Sequence, residues 1–192
     1  MGIRRVTKYL FAAVIVMLLM SGCSMTDDVT EKQIPVIDQP GPELTHVKVN
    51  TDGMLSEVGY GYPHPFGVNQ EVLVDFHYYK QHDISRGDIV VFRTKDTSYQ
   101  TTDLARVVGL PGEKIGLKKG QVYINGHKLK AFYGNDAASK NNISLEKPLV
   151  LQHDQFFILA DVRWRGFNDS QTAGPYSRDD ILGKVVGYEP HK

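Results

Sequence analysis

The feature that most restricts the fold is Asn125-Gly126, set between two alternating runs in QVYI-NG-HKLK, residues 121–130. Two residues of this type between alternating segments predict a hairpin with a type I′ turn, because both central positions need positive φ. Further short β-branched runs carry the same punctuation. HVKVN alternates, EVLVDFHYY is apolar, Gly87-Asp88 opens IVVFR, and ARVVGL stops at Pro111-Gly112. PLVL, QFFILAD and ILGKVVGYEP complete the series, and only SRDDILG suggests a helical turn. No segment sustains a 3.6-residue apolar period. The domain from Thr45 to Lys192 is therefore expected to be mainly β, a folded sheet or partly open barrel with few short helices.

The first residues read differently. Arg4, Arg5 and Lys8 precede an uninterrupted apolar run of eleven residues, 10–20. Spanning hydrocarbon takes about 20 residues, so the run suits the apolar region of a signal peptide. Met20-Ser21-Gly22-Cys23 follows, and Cys23 is the single cysteine of the chain. This resembles the bacterial lipobox, with Met20 where leucine is usual. The resemblance implies that residues 1–22 are removed and that Cys23 carries lipid, holding the chain to the extracytoplasmic face of a cell membrane. More than one acyl chain anchors far better than one. A lone cysteine allows no internal disulfide. Residues 23–44 are polar, with Pro35, Pro40 and Pro42, and are expected to be a flexible tether with a reach of roughly 25 Å.

Lys+Arg and Asp+Glu number 22 each, so the basic excess of a nucleic-acid binder is missing and that partner class is set aside. His77 and His82 lie in a strand-to-loop region with no regularly spaced third ligand, so neither a metal nor another cofactor is expected. Arg86-Gly87-Asp88 is explained by a turn glycine opening a strand, and the polar stretch 133–147 reads as a surface loop.

Three segments, SRGDIVVFR (85–93), ARVVGLPGEKI (105–115) and ADVRWRGFNDSQTAGPYSRDDILGKVVG (160–187), together resemble bacterial type I signal peptidases in order and spacing. The likeness extends over about 47–188 and implies a folded β sheet with a smaller inserted β subdomain at about 117–158. In that family a serine attacks the scissile carbonyl and a lysine takes its proton. The lysine must be neutral, which burial favours because desolvation penalises its charged form. Carried over residue by residue, the nucleophile position is Gly53, in Thr51-Asp52-Gly53-Met54-Leu55-Ser56, and the base position is Ala105. A hydroxyl that helps orient the lysine maps to Phe167, and the arginine of the last box maps to Gln171. Thr51 stands where some members supply an oxyanion donor. Arg106 and Asp169 are retained, and the reading pairs them as a scaffold ion pair. Phe167 is expected to fill the space of the missing lysine, while Gly53 is expected to leave the groove open.

Loss of a nucleophile or base from such a site costs on the order of 10⁶ in rate. One reading is therefore a membrane-anchored, catalytically inactive relative that binds extended secretory peptides or modulates an active signal peptidase. The alternative is an active serine endopeptidase of the same family with a relocated nucleophile, Ser56, assisted by His64 from GYGYPHPFG (59–67). Its requirement is a nitrogen base within hydrogen-bond reach of the Ser56 hydroxyl.

Overall fold

The computed structural model describes residues 33–56, 59–98, 100–131, 133 and 144–190. Cys23, the segment read as a signal peptide and most of the stretch 133–147 lie outside these residues. Among the described residues no helix is long and apolar enough to cross a membrane.

Among the described residues eleven strands form two antiparallel sheets. In the first the order is β1 (Thr45–Lys48), β2 (Glu71–Asp75), β11 (Ile181–Gly187), β3 (Ile89–Arg93), β4 (Thr102–Gly109), β9 (Gln155–Leu159) and β10 (Tyr176–Ser177). The second is β7 (His127–Lys128), β6 (Gln121–Ile124), β5 (Lys114–Lys118) and β8 (Leu149–Val150). This second sheet occupies 114–150, starting and ending earlier than the 117–158 read from the sequence. Its hairpin is as expected: Ile124 pairs with His127, and Asn125 and Gly126 have φ of 52° and 86°. Pro111-Gly112 makes the other turn, with Gly112 at φ 81° and the Glu113 amide donating to the Leu110 carbonyl at 3.2 Å. Proline at the second position and a left-handed glycine at the third are what a type II turn requires. The Arg86 guanidinium clamps this corner, reaching both Glu113 carboxylate oxygens at 2.5 and 2.9 Å.

The middle strands of the large sheet are apolar at nearly every position because both faces are covered. On one face Ile89, Val91 and Leu104 join Val49, Met54, Phe66, Val72, Val74 and Val185. Farther along it, Val108, Phe157 and Leu159 pack with Ile115, Leu117, Val122 and Ile124 of the small sheet. On the other face Val90, Phe92, Ala105, Val107, Phe156 and Ile158 pack with Tyr79, Tyr176 and Ile181. At roughly 25 cal/mol per Å² of apolar surface, three such clusters supply most of the driving force for the fold.

The helical turn expected in SRDDILG is a single 3₁₀ turn at Arg178–Asp180, with a capping box in which Ser177 and Asp180 bond reciprocally. Among the described residues two further 3₁₀ turns, at Tyr78–Lys80 and Arg163–Arg165, and one α-helical turn, α1 (Ser170–Ala173), carry no periodic signal because each holds only three or four residues. The tether needs correction. Its residues 34–37 are docked on the sheet: the Ile34 amide donates to the Tyr60 hydroxyl at 2.7 Å and Val36 bridges Tyr188 in parallel. Ile37 N and Tyr188 N add backbone bonds of 2.9 and 3.1 Å, and Ile34 is buried. Strand addition of this kind leaves no period of its own, so the prolines alone suggested a free coil.

Candidate active site and groove

Strand parity decides what the site contains. In β4, Asp103, Ala105 and Val107 alternate with Leu104 and Arg106, and the register sets Val90 opposite Ala105 and Arg106 opposite Leu159. Ala105 is 1% exposed, and its methyl feeds the apolar cluster that contains Val90 and Ile158. Gly53 lies beside the same end of the sheet. A Cβ built there would stand 3.3 Å from the Ala160 methyl and 3.4 Å from the Arg165 carbonyl oxygen, and the Gly53 carbonyl accepts from Val162 N at 2.9 Å. The segment after β9 therefore closes on Gly53, and the groove is not open there as expected from the missing side chain.

Phe167 also departs from expectation. It is 76% exposed and fills nothing. Gln171 braces the loop before it, donating from Nε2 to the Arg163 and Gly166 carbonyls at 2.5 and 3.2 Å.

Arg106 is buried, but its carboxylate partner is Asp161, not Asp169. Nε and Nη2 donate to the two Asp161 oxygens at 2.9 and 2.7 Å, Nη1 donates to the Gly87 carbonyl at 2.8 Å, and the Tyr133 ring lies 4.8 Å from the guanidinium carbon. Alternation gives the reason. Asp161 is two residues beyond Leu159, the cross-strand partner of Arg106, so the two project from one face. Asp169 caps α1, accepting from Gln171 N at 3.0 Å and from Ala160 N at 2.9 Å. Burial pushes its carboxyl up to about 7, against those two amides and nearby Arg163.

Thr51 has its hydroxyl proton committed. Oγ1 donates to Asp103 Oδ1 at 2.8 Å; the same carboxylate accepts from Leu104 N at 2.8 Å and, through Oδ2, from Asn168 Nδ2 at 3.1 Å. A threonine donating to a carboxylate has no proton left for an oxyanion. Asp103 and Asn168 were invisible to sequence reasoning because their contacts span 52 and 65 residues. Outside this clip a cleft of about 290 Å³ runs between His46, Val47, Lys48 and Asn50 on one wall and Thr102, Asp103 and Leu104 on the other, with Val91 below.

With this geometry in view, comparison with known proteins is informative. The family model described as "Signal peptidase, peptidase S26" matches residues 62–188, more than half of the chain. The chain belongs to this family. The match takes in Ala105, Arg106, Asp161 and Asp169, and begins beyond Gly53. Among relatives, a signal peptidase I P from Bacillus subtilis subsp. natto is 30% identical over 107 residues, 53% of this chain and 56% of its own. A signal peptidase I from Leptolyngbya laminosa is 30% identical over 125 residues, 62% of this chain and 59% of its own. The chain thus spans little more than half the length of these curated relatives. A signal peptidase I structure from Enterococcus faecalis V583 is 24% identical, covers 54% of this chain and 97% of its own, and gives a TM-score of 0.44.

The relocated pair needs His64 to face the Ser56 hydroxyl. Instead His64 Nε2 lies 2.8 Å from the Ser56 carbonyl oxygen, and Nδ1 accepts from Phe66 N at 3.1 Å. A carbonyl only accepts and an amide only donates, so the proton sits on Nε2 and both ring nitrogens are committed. Burial, the main cause, lowers the His64 pKa and holds the ring neutral. The insertion 59–67 is packed as an aromatic cluster, with the Tyr60 ring 4.9 Å from His64 and 5.7 Å from Phe66.

Proposed function

We propose that the chain is a catalytically silent member of the signal peptidase family, held at the extracytoplasmic face of a membrane through lipid on Cys23, that binds extended secretory peptides without cutting them. The observation that carries the reading is the pairing of positions 53 and 105, a glycine closed over by Ala160 and a buried methyl in an apolar cluster. Proton transfer from a hydroxyl needs a base beside it, and His64, the candidate for Ser56, has both nitrogens engaged by backbone.

Peptide binding is supported by the two strand edges that wall the cleft. Among the described residues β1 pairs only with β2, and β4 pairs with β9 only from Arg106 onward, so 102–105 has no strand partner on that side. Free edges recruit extended peptides through backbone hydrogen bonds. An active signal peptidase whose access to precursors the chain modulates is a partner compatible with the same groove.

Fluorescence anisotropy with a labelled signal peptide tests this. The full chain should raise the anisotropy while the peptide stays intact by mass spectrometry. A cleaved peptide, or no binding at millimolar concentrations, overturns the reading.

A further inference from the structure

The cleft between β1 and the start of β4 is closed at one end, and this decides what part of a peptide it takes. Antiparallel pairing alternates the direction of backbone groups. Val49 bonds with Gln70 and Asn69, so the N–H and C=O groups of His46 and Lys48 point away from β2. Val107 bonds with Gly87 and Asp88, so those of Thr102 and Leu104 point away from β3. Among the described residues the two walls thus offer backbone without a strand partner at His46 and Lys48 and at Thr102. At Leu104 the offer ends, because its N–H is already held by the Asp103 carboxylate at 2.8 Å. Thr51 and Asn168 tie that carboxylate to two other segments, and just beyond it Gly53 O is held by Val162 N. Asp52 and Arg165 add an ion pair of 3.1 Å across the same end.

An extended chain running in from the open end must therefore stop at Asp103. Among the described residues, every hydrogen bond this carboxylate accepts comes from a neutral donor, and no Lys or Arg forms an ion pair with it. A peptide that terminates there meets a negative charge with no counter-ion among the described residues. Lys48 and His46 line the cleft on the other side of that point.

We propose that the cleft captures the free amino terminus of an extended peptide, its ammonium paired with Asp103 and its backbone running out between β1 and Thr102. This rests on the peptide-binding reading above and specifies which end is bound. An internal segment would have to displace the Asp103 clip and the Val162–Gly53 bond, while a carboxyl terminus would set two anions together.

The test uses the full chain in detergent and the hexapeptide Ala-Val-Thr-Val-Glu-Gly, amidated at its C-terminus, with its amino end either free or acetylated. By calorimetry the free form should bind about tenfold or more tightly than the acetylated form, as expected for a charge-assisted bond. Raising pH from about 7 to about 9.5 neutralises the α-amine and should weaken the free form alone. Asp103→Asn keeps Oδ1 as the acceptor for Thr51 Oγ1 and Leu104 N, and should abolish the difference. Equal affinity of both peptides, or discrimination surviving in Asp103→Asn, overturns this inference and leaves peptide binding standing. Absence of binding by either peptide overturns both.

Discussion

Arg106→Ala tests the core of the fold most sharply, since it removes a guanidinium that is 1% exposed from a carboxylate, Asp161, that is 4% exposed. Two charge-assisted bonds, the bond to Gly87 O and the contact with the Tyr133 ring go together. The dominant cost is the Asp161 charge left in an apolar setting, about 3–5 kcal/mol for a broken buried pair. Against a total stability of about 5–15 kcal/mol that is a large share. With a urea dependence of about 1–3 kcal/mol/M, the unfolding midpoint should fall by at least about 1 M. A double-mutant cycle identifies the partner. Asp161→Asn in the Arg106→Ala background should recover part of the loss, with a coupling of about 2 kcal/mol, whereas Asp169→Asn should be additive to within about 0.5 kcal/mol. Coupling to Asp169 rather than Asp161, or a loss under about 1 kcal/mol for Arg106→Ala, would refute the assignment.

Other expectations follow from the same geometry. Replacing Cys23 with Ala should release the mature domain into the soluble fraction, and retention on membranes after processing would contradict lipid anchoring. Ala105→Lys places an amine in an apolar cluster, where burial lowers a lysine pKa by up to about 3–5 units. At about 1.36 kcal/mol per unit, a cost of up to about 4–5 kcal/mol at neutral pH is expected. Because the folded pKa of that lysine is depressed, the variant should regain stability relative to wild type as pH rises toward 10, and urea titrations at two pH values check the sign. For Asp169 the sign is opposite. Its folded pKa is raised from 3.8 to about 7, so its contribution is fully present below about 3.8 and is lost as pH rises to about 7. Asp169→Asn should remove that slope from the stability profile, and an unchanged slope would place it on another group.

Much of the fold was legible because its signals are local. Asn125-Gly126 and Pro111-Gly112 fix their turns by φ alone, and the unbroken apolar runs in IVVFR and QFFIL fit strands buried on both faces. The scaffold pair was half legible: Arg106 was recognised, but its partner depends on parity along β9, which favours Asp161 once the Arg106–Leu159 register is known. The exposure of Phe167 was not legible because correspondence along a box does not say which way a loop residue points. The docked residues 34–37 and the Asp103 clip arise from contacts between distant segments and leave no trace in spacing.

The most direct test of catalytic silence is a single-turnover assay with the full chain in excess over a secretory precursor, run beside Ser56→Ala. Both proteins should leave the precursor cleaving no faster than buffer alone, since neither Gly53 nor Ala105 offers a reacting group and both His64 nitrogens are held by backbone. Cleavage at the signal-peptide junction that is present in the wild type and lost in Ser56→Ala would contradict it.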